Sequence, residues 1–326
     1  MSWRARLERH ANRLWYETQT PGLAYRALER LYRRFAKQRF HRPSGRPPVP
    51  VIVVGNLCVG GAGKTPTVIA LARRLAARYR VAIISRGYGG HSDNYPLAVG
   101  PETAIAEAGD EALLIAREAG VPVWVDPERS RALQAAIEDS AAEVVISDDG
   151  LQHQALARSF EICLFDGHRG LGNGHLLPAG PLRQPRSRLA SVDLLLVKGA
   201  GFSLPGAEHF ELEAIGFRDL DGSLTEPLEA WRGREVDAVC GIANPEGFAD
   251  TLERLGLKVR LHAFPDHHRF LARDFAGLDR PVITTAKDAV RIEAGMLGLP
   301  LRVLEVLAAL PESVYQRIES HIEEFA

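Results

Sequence analysis

Cysteine is scarce: the 326 residues hold three, Cys58, Cys163 and Cys240, each in or beside an apolar run. An odd, scattered set without C-x-x-C spacing excludes a disulfide framework and a cysteine metal cage, and suits a reducing compartment. Long apolar runs are missing as well, and none approaches the roughly 18 residues needed to span a bilayer. The N-terminus lacks the apolar core of a signal peptide, because arginines recur from Arg4 onward, so a cytoplasmic protein is expected. Net charge is nearly absent, at −1, which argues against a dedicated nucleic-acid binder. No internal repeat or low-complexity tract is found, and the length suffices for two compact domains with buried cores.

The neutral total hides a segregation. Residues 1–50 carry twelve Arg and Lys against three Asp and Glu, and the rest carry twenty-eight against thirty-eight. Residues 1–42 read as helix: Trp3, Leu7, Leu14, Trp15, Leu23, Tyr25, Leu28, Leu31, Tyr32 and Phe35 are interleaved with Arg26, Arg30, Arg33, Arg34, Lys37 and Arg39. "TPG" at 20–22 is expected to break this arm into two pieces. Arginines on one side and aromatics on the other suit a helix lying in a membrane interface, with Trp3, Trp15, Leu28, Tyr32 and Phe35 buried there. They equally suit a helix packed on its own domain with a solvated basic face. "RPSGRPPVP" (42–50) closes the arm at residue 49, since its prolines cannot continue a helix.

From Val51 short apolar strands alternate with helices: "VIVVG", "VAIIS" (81–85), "VPVWV" (121–125), "EVVIS" (143–147), "EICLF" (161–165) and "DLLLVK" (193–198), with helices near 67–79, 110–119 and 129–139. Apolar strands separated by helices predict an α/β fold, a mostly parallel sheet covered on both faces, over 50–199. Residues 200–230 read as a linker with a strand pair around "HFELEAIGF". A second, smaller α/β domain is expected over 231–326, from "VDAVCGI" to the closing amphipathic helix "ESVYQRIESHIEEF".

The stretch "VIVVGNLCVGGAGKTP" (51–66) ends like a phosphate-binding loop but fails the spacing G-x-x-x-x-G-K-[ST], because Cys58 stands where the first glycine belongs. Its context is nonetheless that of a P-loop NTPase: a strand, a turn with Gly55, Gly60, Gly61, Ala62 and Gly63, then Lys64, Thr65 and Pro66 opening a helix. Glycines let backbone N–H groups cradle phosphates, Lys64 would reach the β- and γ-phosphates, and Thr65 would meet Mg²⁺. Pro66 costs nothing at an early helical position, where its missing N–H would be unpaired. "VVISDDGLQH" places Asp148 and Asp149 at the end of another strand, the position of an acidic metal partner. A bare glycine turn and an Asp-Asp-Gly strand stop are the structural alternatives.

Further motifs follow: "SRGYGG" (85–90), "AGDEALL" (108–114) with Asp110 and Glu111 at a helix start, and the long irregular loop "DGHRGLGNGHLLPAGPLRQPRSRL" (166–189). "FPDHHRF" (264–270) and "TTAKDAVR" (284–291) lie in the second domain. Taken singly, Asp110 reads as a helix N-cap and His267 as an exposed loop histidine. Arg129 and Arg183 are candidate phosphate clamps or plain surface arginines. His153 reads as structural, Tyr88 as lining a cleft, and Lys287 with Asp288 as holding the second domain together. Zinc on Asp266, His267 and His268 would lack a fourth ligand.

Together, "GNLCVGGAGKTP", "SRGYGG", "GDE", "DDGLQH", "LLPAGPLRQP", "GIANPEGF", "FPDHHRF" and "AKDAVR", in that order, resemble the tetraacyldisaccharide 4′-kinase (lipid A 4′-kinase) family over nearly the whole chain. The extended glycine loop is typical of that family. The resemblance implies two α/β domains with the active site between them. It also implies a kinase at the cytoplasmic face of the Gram-negative inner membrane, with ATP and Mg²⁺ as cofactors and a lipid A disaccharide precursor as substrate. The γ-phosphate would pass to the 4′-hydroxyl of a tetraacyl disaccharide 1-phosphate, giving lipid IV-A. Asp110 would be the general base, with His267 oriented against it and Lys64, Arg129 and Arg183 assisting. Thr65, Asp148, Asp149 and Glu111 are the candidate metal ligands. Two positions depart from the family pattern: Gln184 stands where Glu is usual, and Ala286 where an acidic residue is expected.

The runner-up is a P-loop GTPase or metallochaperone-type switch acting through a protein partner. It needs a base-reading N-K-x-D, and "LLLVKGAG" offers Lys198 without the aspartate. A membrane adaptor without catalysis leaves the glycine loop unexplained. Neither a nucleic acid nor an obligate protein partner is expected.

Overall fold

The structure, a computed structural model, describes residues 10–37, 41–222, 225–293, 295–296 and 298–325. The strands are β1 (Val51–Gly55), β2 (Val81–Ser85), β3 (Leu97–Val99), β4 (Val123–Val125), β5 (Val144–Asp148), β6 (Phe160–Asp166), β7 (Leu194–Lys198), β8 (Ala207–Arg218), β9 (Thr225–Glu226), β10 (Glu235–Cys240), β11 (Lys258–Ala263), β12 (Val282–Thr285) and β13 (Leu301–Ala309). They join in the order β3-β4-β2-β5-β1-β6-β7-β8-β13-β12-β10-β11, with β9 beside β8. Among the named strands of the described residues, only the β3–β4, β8–β9 and β8–β13 pairs are antiparallel. The α/β, mostly parallel P-loop architecture expected from the sequence is therefore present.

Burial on both faces explains the apolar strands. In β1, Ile52 and Val54 enter one core while Val51 and Val53 enter the other, the period-2 alternation of a strand sandwiched between layers. The second half has two smaller cores of its own, around Trp231 and Phe217 and around Phe270 and Val303.

Strand β8 belongs to both halves. Residues 207–210 run parallel to β7, and residues 211–218 run antiparallel to β13. The segment read as a linker is thus a shared strand that continues one sheet into the next.

The closing helix, Glu312–Phe325, does not cover the second half. Val314, Ile318 and Ile322 are buried in the core of the first, with Val68, Leu71 and Leu75 of the Lys64–Leu75 helix. Arg74 meets Glu312 at 2.6 Å and Glu319 at 3.3 Å, and Arg78 meets Glu319 and Glu323 at 2.9 Å each. An amphipathic pattern reports that a helix has a core face, not which sheet that face will meet.

The arm is a π-helical turn, Arg13–Glu17, and a helix, Leu23–Ala36, separated at the Thr-Pro-Gly. Trp3, Arg4, Leu7 and Arg39 lie outside the described residues. Tyr32 and Trp15 turn toward the protein: the Tyr32 hydroxyl donates to the Arg183 carbonyl (2.9 Å) and the Trp15 indole to the Pro178 carbonyl (3.0 Å). This corrects the expectation that both enter a membrane interface, because each polar tip finds a carbonyl partner in the long loop. Leu23, Leu28, Leu31 and Phe35 remain exposed. Among the described residues, no helix is long and apolar enough to cross a membrane.

Candidate active site

The glycine loop sits where β1 delivers it, between β5 and β6, and Val54 of β1 lies level with Asp148 of β5. Strand register alone thus brings the aspartate pair beside the loop. Gly63 has φ of +83°, which a side chain resists, and caps the Lys64–Leu75 helix. Gly61 is different. Its φ is ordinary and a Cβ would meet nothing within 4 Å, so protein packing does not require glycine there, whereas close approach of a ligand would. The Thr65 side chain makes no hydrogen bond within the described residues, and Lys64 Nζ lies 3.9 Å from Asp149 Oδ1.

The two aspartates are not equivalent. Asp149, at a positive φ of 46°, takes both nitrogens of the Arg183 fork, Nη1 to Oδ2 at 3.0 Å and Nη2 to Oδ1 at 2.9 Å. Burial alone would raise its pKa; the charges of Lys64 and Arg183 reverse this and hold it well below the usual carboxylate range. Asp148 is buried and its Oδ1 has no partner. Burial, with the charges of Glu111 and Asp149, pushes its pKa up to about 7. An acid so destabilised as an anion fits a cation. No three His, Cys, Asp or Glu among the described residues form a metal cage by themselves. Mg²⁺ commonly takes one or two carboxylates and completes its shell with water and substrate phosphate.

Arg183 and Arg129, read as phosphate clamps, are both engaged with the aspartates. Arg183 also donates to the Asn56 carbonyl at 2.8 Å. Arg129 is buried and Nη2 donates to the Asp148 carbonyl at 2.6 Å, while Nε and Nη1 have no acceptor. The buried Gln184 amide oxygen accepts from Gln152 at 3.0 Å, so the departure from Glu leaves a neutral hydrogen-bonded group. His153 is partly buried, and burial with the charges of Arg129, Arg158 and Arg86 pushes its pKa down to about 4.

The second cluster spans the seam between the halves. His267 Nδ1 stands 2.7 Å from Asp110 Oδ2. Gly109 occupies the N-cap position of the helix Asp110–Glu118, and Asp110, its first residue, accepts from Glu111 N through Oδ1 at 3.0 Å. The glycine motifs explain its placement. Gly109 has φ of +80°, a Cβ there would collide with the Tyr88 carbonyl, and one on Gly90 would collide with the Glu107 carbonyl. "SRGYGG" and "GDE" are therefore two backbones in contact. Burial would raise the Asp110 pKa, but the hydrogen bond from His267 and the charges of His267, Lys287 and Arg291 hold it below its ordinary value. The same hydrogen bond raises His267. The exposed Tyr88 ring lies 5.8 Å from the imidazole.

Two cations complete the cluster: Lys287, expected to serve only its own half, and Arg291, which sequence reasoning missed. Lys287 reaches across the seam to Glu111 at 3.2 Å as well as to Asp266 at 3.4 Å, and Arg291 lies 3.6 Å from Asp110. Only Asp288 of the Lys287-Asp288 pair is purely internal to its half, accepting from Gly241 N and pairing with Arg291 at 2.8 Å. Glu111 connects the two clusters, since its charge acts on Asp148 while its carboxylate meets Lys287.

A glycine loop opening a helix, an aspartate pair one strand away, and an ionised carboxylate oriented from a second half together define a P-loop phosphotransferase. A model of the tetraacyldisaccharide-1-P 4′-kinase family matches residues 21–323, and the chain belongs to that family. It is similar to proteins described as tetraacyldisaccharide 4′-kinase. The one from Pseudomonas aeruginosa (strain LESB58) is 45% identical over 289 residues, 86% of this chain and 87% of that one. The one from Alkalilimnicola ehrlichii is 45% identical over 307 residues, 92% of each chain. A crystal structure of LpxK from Aquifex aeolicus in complex with ATP matches with a TM-score of 0.73 at 29% identity, covering 91% of this chain and 98% of that one. The chain is a kinase, and the switch-protein alternative is not favoured.

Proposed function

We propose that the chain transfers the γ-phosphate of ATP to the 4′-hydroxyl of a tetraacyl disaccharide 1-phosphate, giving lipid IV-A, at the cytoplasmic face of the inner membrane. The observation that carries the reading is the Asp110–His267 pair, a carboxylate held ionised by an imidazole from the opposite half. A sugar hydroxyl is a poor nucleophile at neutral pH, and phosphoryl transfer to it needs a base within hydrogen-bond reach. Asp110 takes the hydroxyl proton. His267 orients it, and Lys287 and Arg291 keep it anionic. On the other side of Glu111, the loop backbone and Lys64 bind the β- and γ-phosphates. Thr65, Asp148 and Glu111 would hold Mg²⁺, which supplies charge neutralisation at the phosphate oxygens. Asp149, committed to Arg183, sets the charge around that position.

A four-chain lipid does not leave the bilayer readily, so the enzyme must meet it at the surface. The Leu23–Ala36 helix suits this. Leu28, Leu31 and Phe35 form an exposed apolar stripe, and Arg26, Arg30 and Arg34 stand exposed beside it.

The test is ATP consumption by the purified full chain with and without the disaccharide lipid in mixed micelles, with the product's phosphate located by NMR. Lipid-dependent turnover and a 4′-phosphate are expected. Turnover indifferent to the lipid, or phosphate at another position, overturns the reading.

A further inference from the structure

We propose that the N-terminal helix is a strut of the nucleotide site, and that Tyr32 and Glu29 are positioning residues acting through Arg183. The proposal rests on the kinase reading for kcat and lipid KM, and not for analogue affinity or vesicle partition.

The observation is how Arg183 is held. Its N–H donates to the Leu57 carbonyl at 2.7 Å, and its own carbonyl accepts from the Tyr32 hydroxyl at 2.9 Å. One backbone group is thus pinned by the segment entering the glycine loop, the other by the arm. Between these two ties its guanidinium forks onto Asp149.

The neighbouring residues repeat the arrangement. Toward the glycine loop, Val59 N donates to the Pro181 carbonyl at 2.9 Å, and Cys58 pairs with Leu182 as an isolated bridge. Toward the arm, the buried Glu29 carboxylate meets His175 Nδ1 at 2.8 Å and accepts from Leu176 N at 3.1 Å. Asn173 N donates to the Trp15 carbonyl at 2.8 Å, and Tyr16 on the arm reaches the Val59 carbonyl at 3.4 Å. The strip 173–183 is therefore laced to the arm along one edge and to residues 57–59 along the other.

The helix presents different faces to different tasks. Glu29, Tyr32 and Ala36 point to the protein, while Leu28, Leu31 and Phe35 stay exposed. Anchoring and strutting are therefore separable by mutation. Tyr32→Phe keeps the ring packing and removes the hydroxyl tie to Arg183.

The experiment uses the full chain. Calorimetry measures affinity for Mg²⁺ and a non-hydrolysable ATP analogue, and the mixed-micelle assay gives kcat and the lipid KM. Anionic vesicles measure membrane partition. Tyr32→Phe and Glu29→Ala are each expected to weaken analogue binding and lower kcat roughly three- to tenfold, the scale of a lost hydrogen bond. Lipid KM and vesicle partition should stay unchanged. Glu29→Gln, which keeps an acceptor for Leu176 N, should recover most of the loss. Leu31→Ser/Phe35→Ser should do the reverse, losing vesicle partition while keeping analogue affinity. The proposal is overturned if Tyr32→Phe, with an unchanged melting temperature, keeps wild-type analogue affinity and kcat. It is also overturned if its losses track vesicle partition. Should the wild type fail to phosphorylate the lipid, the kinase reading falls and the analogue-binding series still decides the strut. Should Glu29→Ala not fold, Tyr32→Phe alone decides.

Discussion

The phosphate-loop corner and the base corner are built on opposite plans. Gly61, Lys64, Asp148, Asp149 and Arg183 all come from the first half, and the pairing of β1 with β5 places most of them. Asp110, by contrast, depends on His267, Lys287 and Arg291 from the other half. The first corner draws its side chains from one half, while the second exists only when two halves are correctly seated. Nucleotide binding should therefore tolerate disturbance of the seam, and chemistry should not.

The largest expected effect is at the first corner. Lys64→Ala should reduce transfer by about 10³-fold or more, with ATP-analogue affinity falling in parallel, because it removes a fixed charge from the phosphates. Near-normal turnover in the folded variant would end the P-loop reading. Next, Asp110→Asn should lower kcat roughly 10²–10⁴-fold while analogue affinity changes little, the range for a lost general base. A variant that melts earlier yet turns over normally would make Asp110 structural. Smaller again, Lys287→Ala should lower kcat roughly tenfold, about 1.4 kcal/mol of barrier, by releasing Glu111 across the seam. A fall in analogue affinity of the same size would erase the contrast between the corners.

The smallest effect is one of pH. The folded Asp110 pKa is depressed below its ordinary 3.8, so its anionic form is lost only as pH falls through that lower value. His267 is raised above its ordinary 6.5, so its stabilising charge is complete below 6.5 and lost as pH rises through the raised value. The pair is thus strongest between those two ordinary values. His267→Ala should move the acid limb of kcat/KM upward, toward the ordinary carboxylate value. An unmoved limb would show that His267 does not set the charge of Asp110.

The same contrast governs what the sequence disclosed. The glycine loop was legible despite its failed spacing, because strand, turn and helix are consecutive and each carries its own local chemistry. Asp148 and Asp149 were legible as the end of an apolar strand, but their unequal roles were not. Those depend on Arg183, which arrives from a loop with no regular pattern. Asp110 and His267 could be paired only through the family resemblance, since each alone fitted a commoner role. Lys287 reads as serving its own half because its place in the short helix Ala286–Ala289 does not disclose what faces it. The short edge strand β3 escaped notice, as three residues give no period to read. β8 lies in a stretch rich in Gly, Pro and acidic residues that reads as a linker, and nothing in that composition discloses a strand shared between two sheets.

The closing helix ties the timing of synthesis to the nucleotide site. The core behind the Lys64–Leu75 helix includes Val314, Ile318 and Ile322, so part of one apolar face of the first half stays uncovered until residues 312–325 leave the ribosome. A chain made from N- to C-terminus would thus complete its earliest-translated half last. A nascent chain halted after β7 would hold the whole glycine loop without the helix that backs it.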